Sequence, residues 1–226
     1  MKDYYSDKLS AERLQRVYEI APTRVKQYFK AEVDHVLQKI HEQDLVLELG
    51  CGYGRILPSL AKKARSVFGI DTSFSSLLLG KELYGSYSNC FFAQMNAVQL
   101  SFPNNAFDVV VCIQNGISAF HVNQKELIHE SLRVTKSNGI VLFSSYSEKF
   151  WNDRLKWFQL QSDAGLLGEI DYEKTINGNI VCKDGFTATT VGKDQFKTLT
   201  SDIDNVIVNI EEVDDSSLFC QFIRNY

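Results

Sequence analysis

The segment Val46-Leu-Glu-Leu-Gly-Cys-Gly-Tyr-Gly-Arg-Ile-Leu57 decides how this 226-residue chain is read. Gly50, Gly52 and Gly54 alternate behind an apolar run that Glu48 interrupts. Leu45–Leu49 has the length and composition of a short buried strand. Ile56, Leu57, Leu60 and Ala61 then recur at helical spacing, with Pro58 in the first turns, where its missing N–H matters little. A strand–glycine–helix turn lets a ligand approach the backbone, because no Cβ stands in the way. The helix behind it offers free N–H groups and a partial positive charge. In parallel α/β sheets, ligands bind at the carboxyl ends of the strands, so the loop after the first strand is the prime position. A plain tight turn is the other reading of a lone Gly-x-Gly.

Working outward, the residues from Ser10 to Gln43 carry apolar side chains at helical spacing, broken at Pro22, which predicts two helices joined near Ala21. Downstream the pattern alternates. Strands are predicted at Ser66–Ile70, Cys90–Gln94, Phe107–Ile113 and Ile140–Ser144. Helices are predicted at Ser73–Leu83 and from Asn123 to about Val134, the latter opened by an Asn123/Glu126 capping box and closed by Asn138-Gly139. This βαβ rhythm predicts a doubly wound parallel sheet. After Tyr146 the rhythm changes. An aromatic-rich helix over Phe150–Leu160 precedes two hairpin signals, Asn177-Gly178 and Asp184-Gly185, the second leading into a strand over Phe186–Val191. A helix over Lys193–Ile203 and strands at Val206–Val213 and Leu218–Asn225 follow. The chain therefore reads as a single domain, 1–226, with N-terminal helices over 1–43 and an inserted helix and β-meander over 148–191, either a substrate lid or a dimer arm.

Composition narrows the function. The formal net charge of −4 argues against a nucleic-acid partner, since phosphate binding wants a basic face. No apolar run reaches the roughly 18 residues of a membrane span, and the polar N-terminus lacks a signal-peptide core. The five cysteines are scattered without a C-x-x-C pair, so no zinc site or disulfide framework is indicated and a reducing cytoplasm is expected. Asp71, ending the second strand, faces the same crevice as the glycines and is placed to accept from two ribose hydroxyls, which points to a nucleoside. A dinucleotide fingerprint fails on its third glycine. Counted from Gly50 that position is Arg55, and counted from Gly52 it is Leu57.

Glu48-Leu-Gly-Cys-Gly-Tyr-Gly54 resembles the acid-x-Gly-x-Gly-x-Gly motif of the class I S-adenosylmethionine-dependent methyltransferases, over roughly residues 40–146, and the final strand pair fits as well. The resemblance implies a seven-stranded, mostly parallel, Rossmann-like methyltransferase sheet whose last strand is antiparallel. The donor it implies is S-adenosyl-L-methionine, leaving S-adenosyl-L-homocysteine as product. On that resemblance Glu48 orders the loop and reaches the methionine amino group, while Gly50, Cys51 and Gly52 face the methionine part. Asp71 holds the ribose with Thr72 beside it. Asn96 and Ala97 stand where the family carries its adenine-binding Asp-Ala, and an Asn carbonyl still accepts from an adenine amine. Leu100 and Phe102 either pack near the adenine or belong to the core. Asp108, at the start of the fourth strand, is read as structural. Gln114, in the loop through His121, lies beside the sulfonium. Tyr18 and Arg24 approach the methionine carboxylate, with a solvated helix face as the other reading of Arg24, and Tyr4 and Tyr5 fold over the donor. Arg55 reads as a first-turn surface residue.

Methyl transfer is an in-line displacement in which alignment supplies much of the acceleration, and a hydroxyl or ammonium acceptor also needs a base. His121 and Tyr146 are the candidate catalytic residues, each set against a structural role. Trp151, Trp157 and Phe158 either line an acceptor pocket or form the insertion's own core. The expected activity is methyl transfer to a small molecule by a monomer or homodimer, without membrane or nucleic acid. The alternatives are a protein or RNA methyltransferase and a non-catalytic donor-binding interaction module. Metalloid methylation would require two or more cysteines meeting at the pocket.

Overall fold

β-Branched and aliphatic runs without polar alternation are suited to strands covered on both faces, and here they form the centre of one sheet. The computed structural model describes Tyr4 and residues 8–225. Helices α1 (Glu12–Glu19) and α2 (Thr23–Gln38) precede the first strand. Pro22, with φ of −61°, caps the start of α2, where a missing N–H is harmless. Then follow β1 (Leu45–Leu49), α3 (Leu57–Ala61), β2 (Ser66–Asp71), α4 (Phe74–Tyr84), β3 (Cys90–Gln94), β4 (Phe107–Cys112), α5 (Gly116–Ala119), α6 (Gln124–Val134) and β5 (Thr135–Tyr146). A 3-10 turn at Glu148–Phe150 leads to α7 (Trp151–Asp163), β6 (Ile180–Val181), β7 (Thr187–Ala188), α8 (Lys193–Thr200), β8 (Val206–Val213) and β9 (Ser217–Arg224).

Seven strands make one sheet in the order β3-β2-β1-β4-β5-β9-β8. The first five pair in parallel, and β9 runs antiparallel between β5 and β8. The strand order reverses between β1 and β4, which opens a crevice at their carboxyl ends. The doubly wound, mostly parallel sheet is confirmed, and β6 with β7 makes the separate small antiparallel ladder. Period two divides the central strands between two cores. Leu47, Leu49 and Val110 enter one, Val46, Val109 and Val111 the other, and none is more than 2% exposed. Each such side chain contributes about 1.5–3 kcal/mol of burial. A third, aromatic cluster joins α1 and α2 to α7 and the insertion through Val17, Tyr28, Phe29, Trp157 and Phe158.

Several expected boundaries move. Asn138-Gly139 does not end a helix. α6 stops at Val134, and Asn138, with φ of 62°, sits in an irregularity within β5. The strand expected over Phe186–Val191 shrinks to Thr187–Ala188, because the ladder has a partner only at Ile180 and Val181. α8 ends at Thr200 rather than Ile203. Leu100 and Phe102 belong to the core: Phe102 meets Phe107 edge-on at 4.9 Å. Asp108 is structural, accepting from the Leu45 N–H at 2.9 Å and pairing with Lys136 at 2.8 Å.

α4 packs on the glycine loop at Gly80, where a Cβ would come within 2.7 Å of both the Tyr53 carbonyl oxygen and the Phe92 ring. Backbone cannot retreat as a side chain can, so Gly80→Ala is expected to destabilise the fold by about 1–3 kcal/mol. Urea denaturation measures this, and an unchanged midpoint would show that helix and loop separate freely.

Candidate active site

The loop after β1 turns back under the strand's carboxyl end. Gly50 and Gly52 take φ of 71° and 55°, a region that side chains disfavour. Space is short as well. A Cβ on Gly50 would strike the Phe120 ring, and one on Gly52 would lie 2.8 Å from Leu14. The Gly52 N–H donates to Asp71 Oδ2 at 2.8 Å, and the Ser73 N–H donates to Asp71 Oδ1 at 2.8 Å. Asp71 thus fastens the loop after β1 to the start of α4, while Ser73 caps that helix by accepting from the Ser76 N–H. Ser76 in turn accepts from the Ala11 N–H at 2.9 Å, which ties the segment before α1 across the top.

These elements enclose a cavity of about 560 Å³, within the roughly 300–1,000 Å³ usual for small-molecule sites. Glu48, Gly50, Cys51, Gly52, Asp71 and Thr72 line its floor, and Asn96 and Ala97 one end. Tyr18, Gln114, His121 and Tyr146 line the rest, so the structure brings all twelve nominated positions to one cavity. Trp157 and Phe158 of α7 also line it, and they belong at the same time to the aromatic cluster. Trp151 is not among the lining residues.

Glu48 is buried, and its Oε2 has no hydrogen-bond partner among the described residues. Burial pushes its carboxyl up to about 8, against the pull of Arg55 and with the help of Asp71. A buried, unsatisfied acceptor is destabilising by about 1–3 kcal/mol or more, so the residues present suit an occupant that brings a cationic N–H group to this spot. Burial likewise holds the Tyr146 phenol well above its ordinary range, with the Arg154 charge opposing. A phenol held this way favours its protonated form. His121, at φ 51°, stands exposed on the rim. Asn96 spends its Oδ1 on the Val98 N–H at 3.1 Å. Of the five cysteines only Cys51 lines the cavity, and burial drives its thiol well up, so no thiolate cluster forms there.

Three further expectations are corrected. Arg24 does not reach the cavity, because its guanidinium binds Asp214 at 2.7 Å and lies over Phe150. Tyr4 packs edge-on against Phe186 and donates to Asp184 at 2.7 Å, on the insertion rather than over the floor. Tyr5 lies outside the described residues. Arg55, read as a surface residue, lines the cavity with its guanidinium 4.3 Å from the Tyr18 ring centroid.

Sequence reasoning missed Glu32. It is fully buried on α2, accepting from the Gln114 N–H at 2.9 Å and from the Ser217 hydroxyl at 2.8 Å. Gln114 and Asn115 both adopt left-handed φ, 55° and 64°, a conformation that persists in non-glycine residues only when its surroundings hold it. Glu32 holds one side of this turn. On the other, Asn115 donates to the Thr189 carbonyl at 2.9 Å and accepts from the Ser145 hydroxyl at 2.7 Å. The available signal was an acid inside the apolar stripe Val25, Tyr28, Phe29 and Val36.

Residues 46–139 match a family model described as a methyltransferase domain. A ubiquinone biosynthesis O-methyltransferase of Histophilus somni is 27% identical over 186 residues, covering 74% of this chain and 74% of that protein. A 2-methyl-6-phytyl-1,4-hydroquinone methyltransferase of Synechocystis is 30% identical over 138 residues, 57% of this chain and 42% of that one. The chain spans about half the length of the first curated relatives it matches, 51% and 42%. Among solved structures, a protein of Pyrococcus horikoshii superposes over 100% of both chains with TM-score 0.68 and 20% identity. The magnesium protoporphyrin IX methyltransferase of Synechocystis, with bound S-adenosylhomocysteine, superposes over 99% of this chain and 98% of its own with TM-score 0.65 and 16% identity.

Burial raises the Glu32 carboxyl to about 7, partly offset by hydrogen bonds that include those from Ser217 and Gln114. A raised acid favours the fold below the ordinary carboxylate range, and that contribution disappears as pH climbs to the folded value. Thermal unfolding should therefore show stability falling from about pH 5 to about pH 7, with Glu48 extending the fall to about 8. Glu32→Gln should flatten the slope, and an unchanged slope would remove Glu32 as its source.

Proposed function

We propose that the chain is a class I S-adenosylmethionine-dependent methyltransferase that methylates a small-molecule acceptor, a reading supported by its fold, by the match of residues 46–139 to a methyltransferase domain and by the relative from Histophilus somni. The observation that carries this reading is the shared cavity. One half holds the orphaned Glu48 carboxylate and the glycine loop, the other a wall of aromatic side chains. When bound, the donor supplies an electrophilic methyl carbon on a positively charged sulfur.

Glu48 then pairs with the donor's amino group, and the backbone of Gly50, Cys51 and Gly52 accommodates its methionine portion. Asp71 and Thr72 take the ribose, and Asn96 and Ala97 border the adenine. Tyr18 and Gln114 flank the sulfonium side. His121 serves as base for an acceptor that arrives protonated, and Tyr146 orients the acceptor as a donor of hydrogen bonds. The segment 148–191 acts as lid, a role supported by the place of Trp157, Phe158 and Gln161 in the cavity wall. The roof formed by α1 and α7, joined where Arg13 donates to the carbonyls of Gly165 and Leu166, favours a small acceptor over a macromolecule. No helix among the described residues is long and apolar enough to cross a membrane, and all five cysteines are free. These facts support work in a reducing cytoplasm, and the negative net charge supports an acceptor other than nucleic acid.

Calorimetry with S-adenosylhomocysteine tests the donor half. Asp71→Ala should weaken binding by about 1.5–3 kcal/mol per charged hydrogen bond lost, and unchanged affinity in a folded variant would remove Asp71 from the site. A cationic amino group favours ionised Glu48, so binding should release a proton, and affinity should rise from pH 6 to about 8. That dependence should vanish in Glu48→Gln. A flat profile in the unmodified protein would take Glu48 out of donor binding.

A further inference from the structure

Beyond the donor's sulfonium side, where Tyr18 and Gln114 stand, the cavity wall carries groups able to meet a second ligand. α7 turns Trp157, Phe158 and Gln161 toward the cavity, positions that share one helix face. Tyr146 at the end of β5 and Tyr18 on α1 complete an aromatic chamber. Gln161 is 2% exposed, and its amide nitrogen has no hydrogen-bond partner among the described residues. The amide nitrogen of Gln114, another lining residue, is likewise buried and without a partner among the described residues. Buried amide donors are satisfied in the great majority of cases. Two orphans lining one chamber call for an acceptor atom carried in by the occupant.

The charge of the chamber points the same way. The Arg55 guanidinium lies 4.3 Å from the Tyr18 ring centroid and 4.9 Å from that of Phe29. Arg154, 1% exposed, lies 4.4 Å from the Tyr146 centroid and 5.4 Å from that of Phe158. Arg154 does not itself line the chamber but is anchored by donating to the carbonyls of Gly178 and Ala188, at 2.6 and 2.9 Å, so its charge is fixed against the Tyr146 and Phe158 rings that do. Aromatic faces attract cations, but here guanidinium groups already lie over them. A cationic amine entering the chamber meets like charge and amide donors, whereas an oxygen meets complementary charge and the same donors.

We propose that this chamber is the acceptor subsite, and that its substrate is a planar, largely apolar molecule whose nucleophile is a hydroxyl or carboxylate oxygen bound by Gln161 and Gln114. The proposal rests on the donor reading above. An oxygen lone pair forms the new C–O bond as the C–S bond breaks, and the C–S electron pair returns to sulfur. A hydroxyl proton passes to the His121 imidazole, and a carboxylate arrives without one.

The test uses three probes with one ring system and three head groups, naphthol, naphthoate and naphthylmethylamine, titrated calorimetrically into the full chain with and without S-adenosylhomocysteine. Naphthol and naphthoate should bind at least about tenfold more tightly than the ammonium probe, a difference of about 1.4 kcal/mol. Gln161→Leu, with Gln161→Met as a second variant in case the first unfolds, should weaken the two oxygen probes about tenfold and erase much of the head-group preference. The proposal is overturned if the ammonium probe binds as tightly as the others, if none binds, or if both Gln161 variants bind them as before. Failure of the nucleoside to bind while the head-group order persists sinks the donor reading and spares the subsite. Nucleoside binding without a head-group preference does the reverse.

Discussion

The carboxylate of Asp71 is the constraint on which the cavity depends. By accepting from the Gly52 and Ser73 N–H groups it fixes the loop after β1 against the start of α4. Charge-assisted bonds of this kind are roughly twice as strong as neutral ones. Without them a three-glycine loop has too much conformational freedom to keep one shape. With the loop fixed, Gly50 meets Phe120 and Gly52 meets Leu14, so the post-β4 segment and α1 both rest on a surface that only glycine can provide. The floor of the site and part of its covering are thus set by one side chain at the end of β2.

The opposite side of the cavity is fixed by a different means. Glu32 reaches from α2 between β9 and the left-handed turn at Gln114–Asn115, and Asn115 extends the connection to the insertion at Thr189. A buried carboxylate is weak evidence for stability, because its desolvation offsets much of what its hydrogen bonds contribute. Its use here is geometric. It holds a backbone conformation that would otherwise relax, in the segment that carries Gln114 toward the cavity. Glu48 presents the complementary case, a buried acid whose Oε2 has no partner among the described residues. One acid is satisfied by the fold, and the other is left for the ligand.

Much of the donor half was legible because its determinants are local. The glycine spacing, Glu48 within β1 and Asp71 at the end of β2 lie within a span of 24 residues, each tied to a strand end that period-two patterning locates. The acceptor half was harder to read. Trp157 and Phe158 were visible as aromatics, yet nothing near them in the chain distinguishes a pocket wall from a core, and the structure uses them as both. Gln161 carries no motif. The places of Arg24 and Arg55 were equally hidden, because Asp214, 190 residues beyond Arg24, captures one guanidinium while the Tyr18 and Phe29 rings take the other.

By itself, then, the sequence determined the strand order's rhythm, the glycine loop and the acid beside it, since periodicity and backbone freedom are properties of neighbouring residues. Only the tertiary structure decided which buried polar groups find partners. Glu32 does so through Ser217, 185 residues away, whereas Glu48 Oε2 and the amide nitrogens of Gln114 and Gln161 find none among the described residues. Hydrogen-bond satisfaction depends on what lies within about 3 Å in space. That neighbourhood is assembled from segments whose separation along the chain carries no trace of their contact.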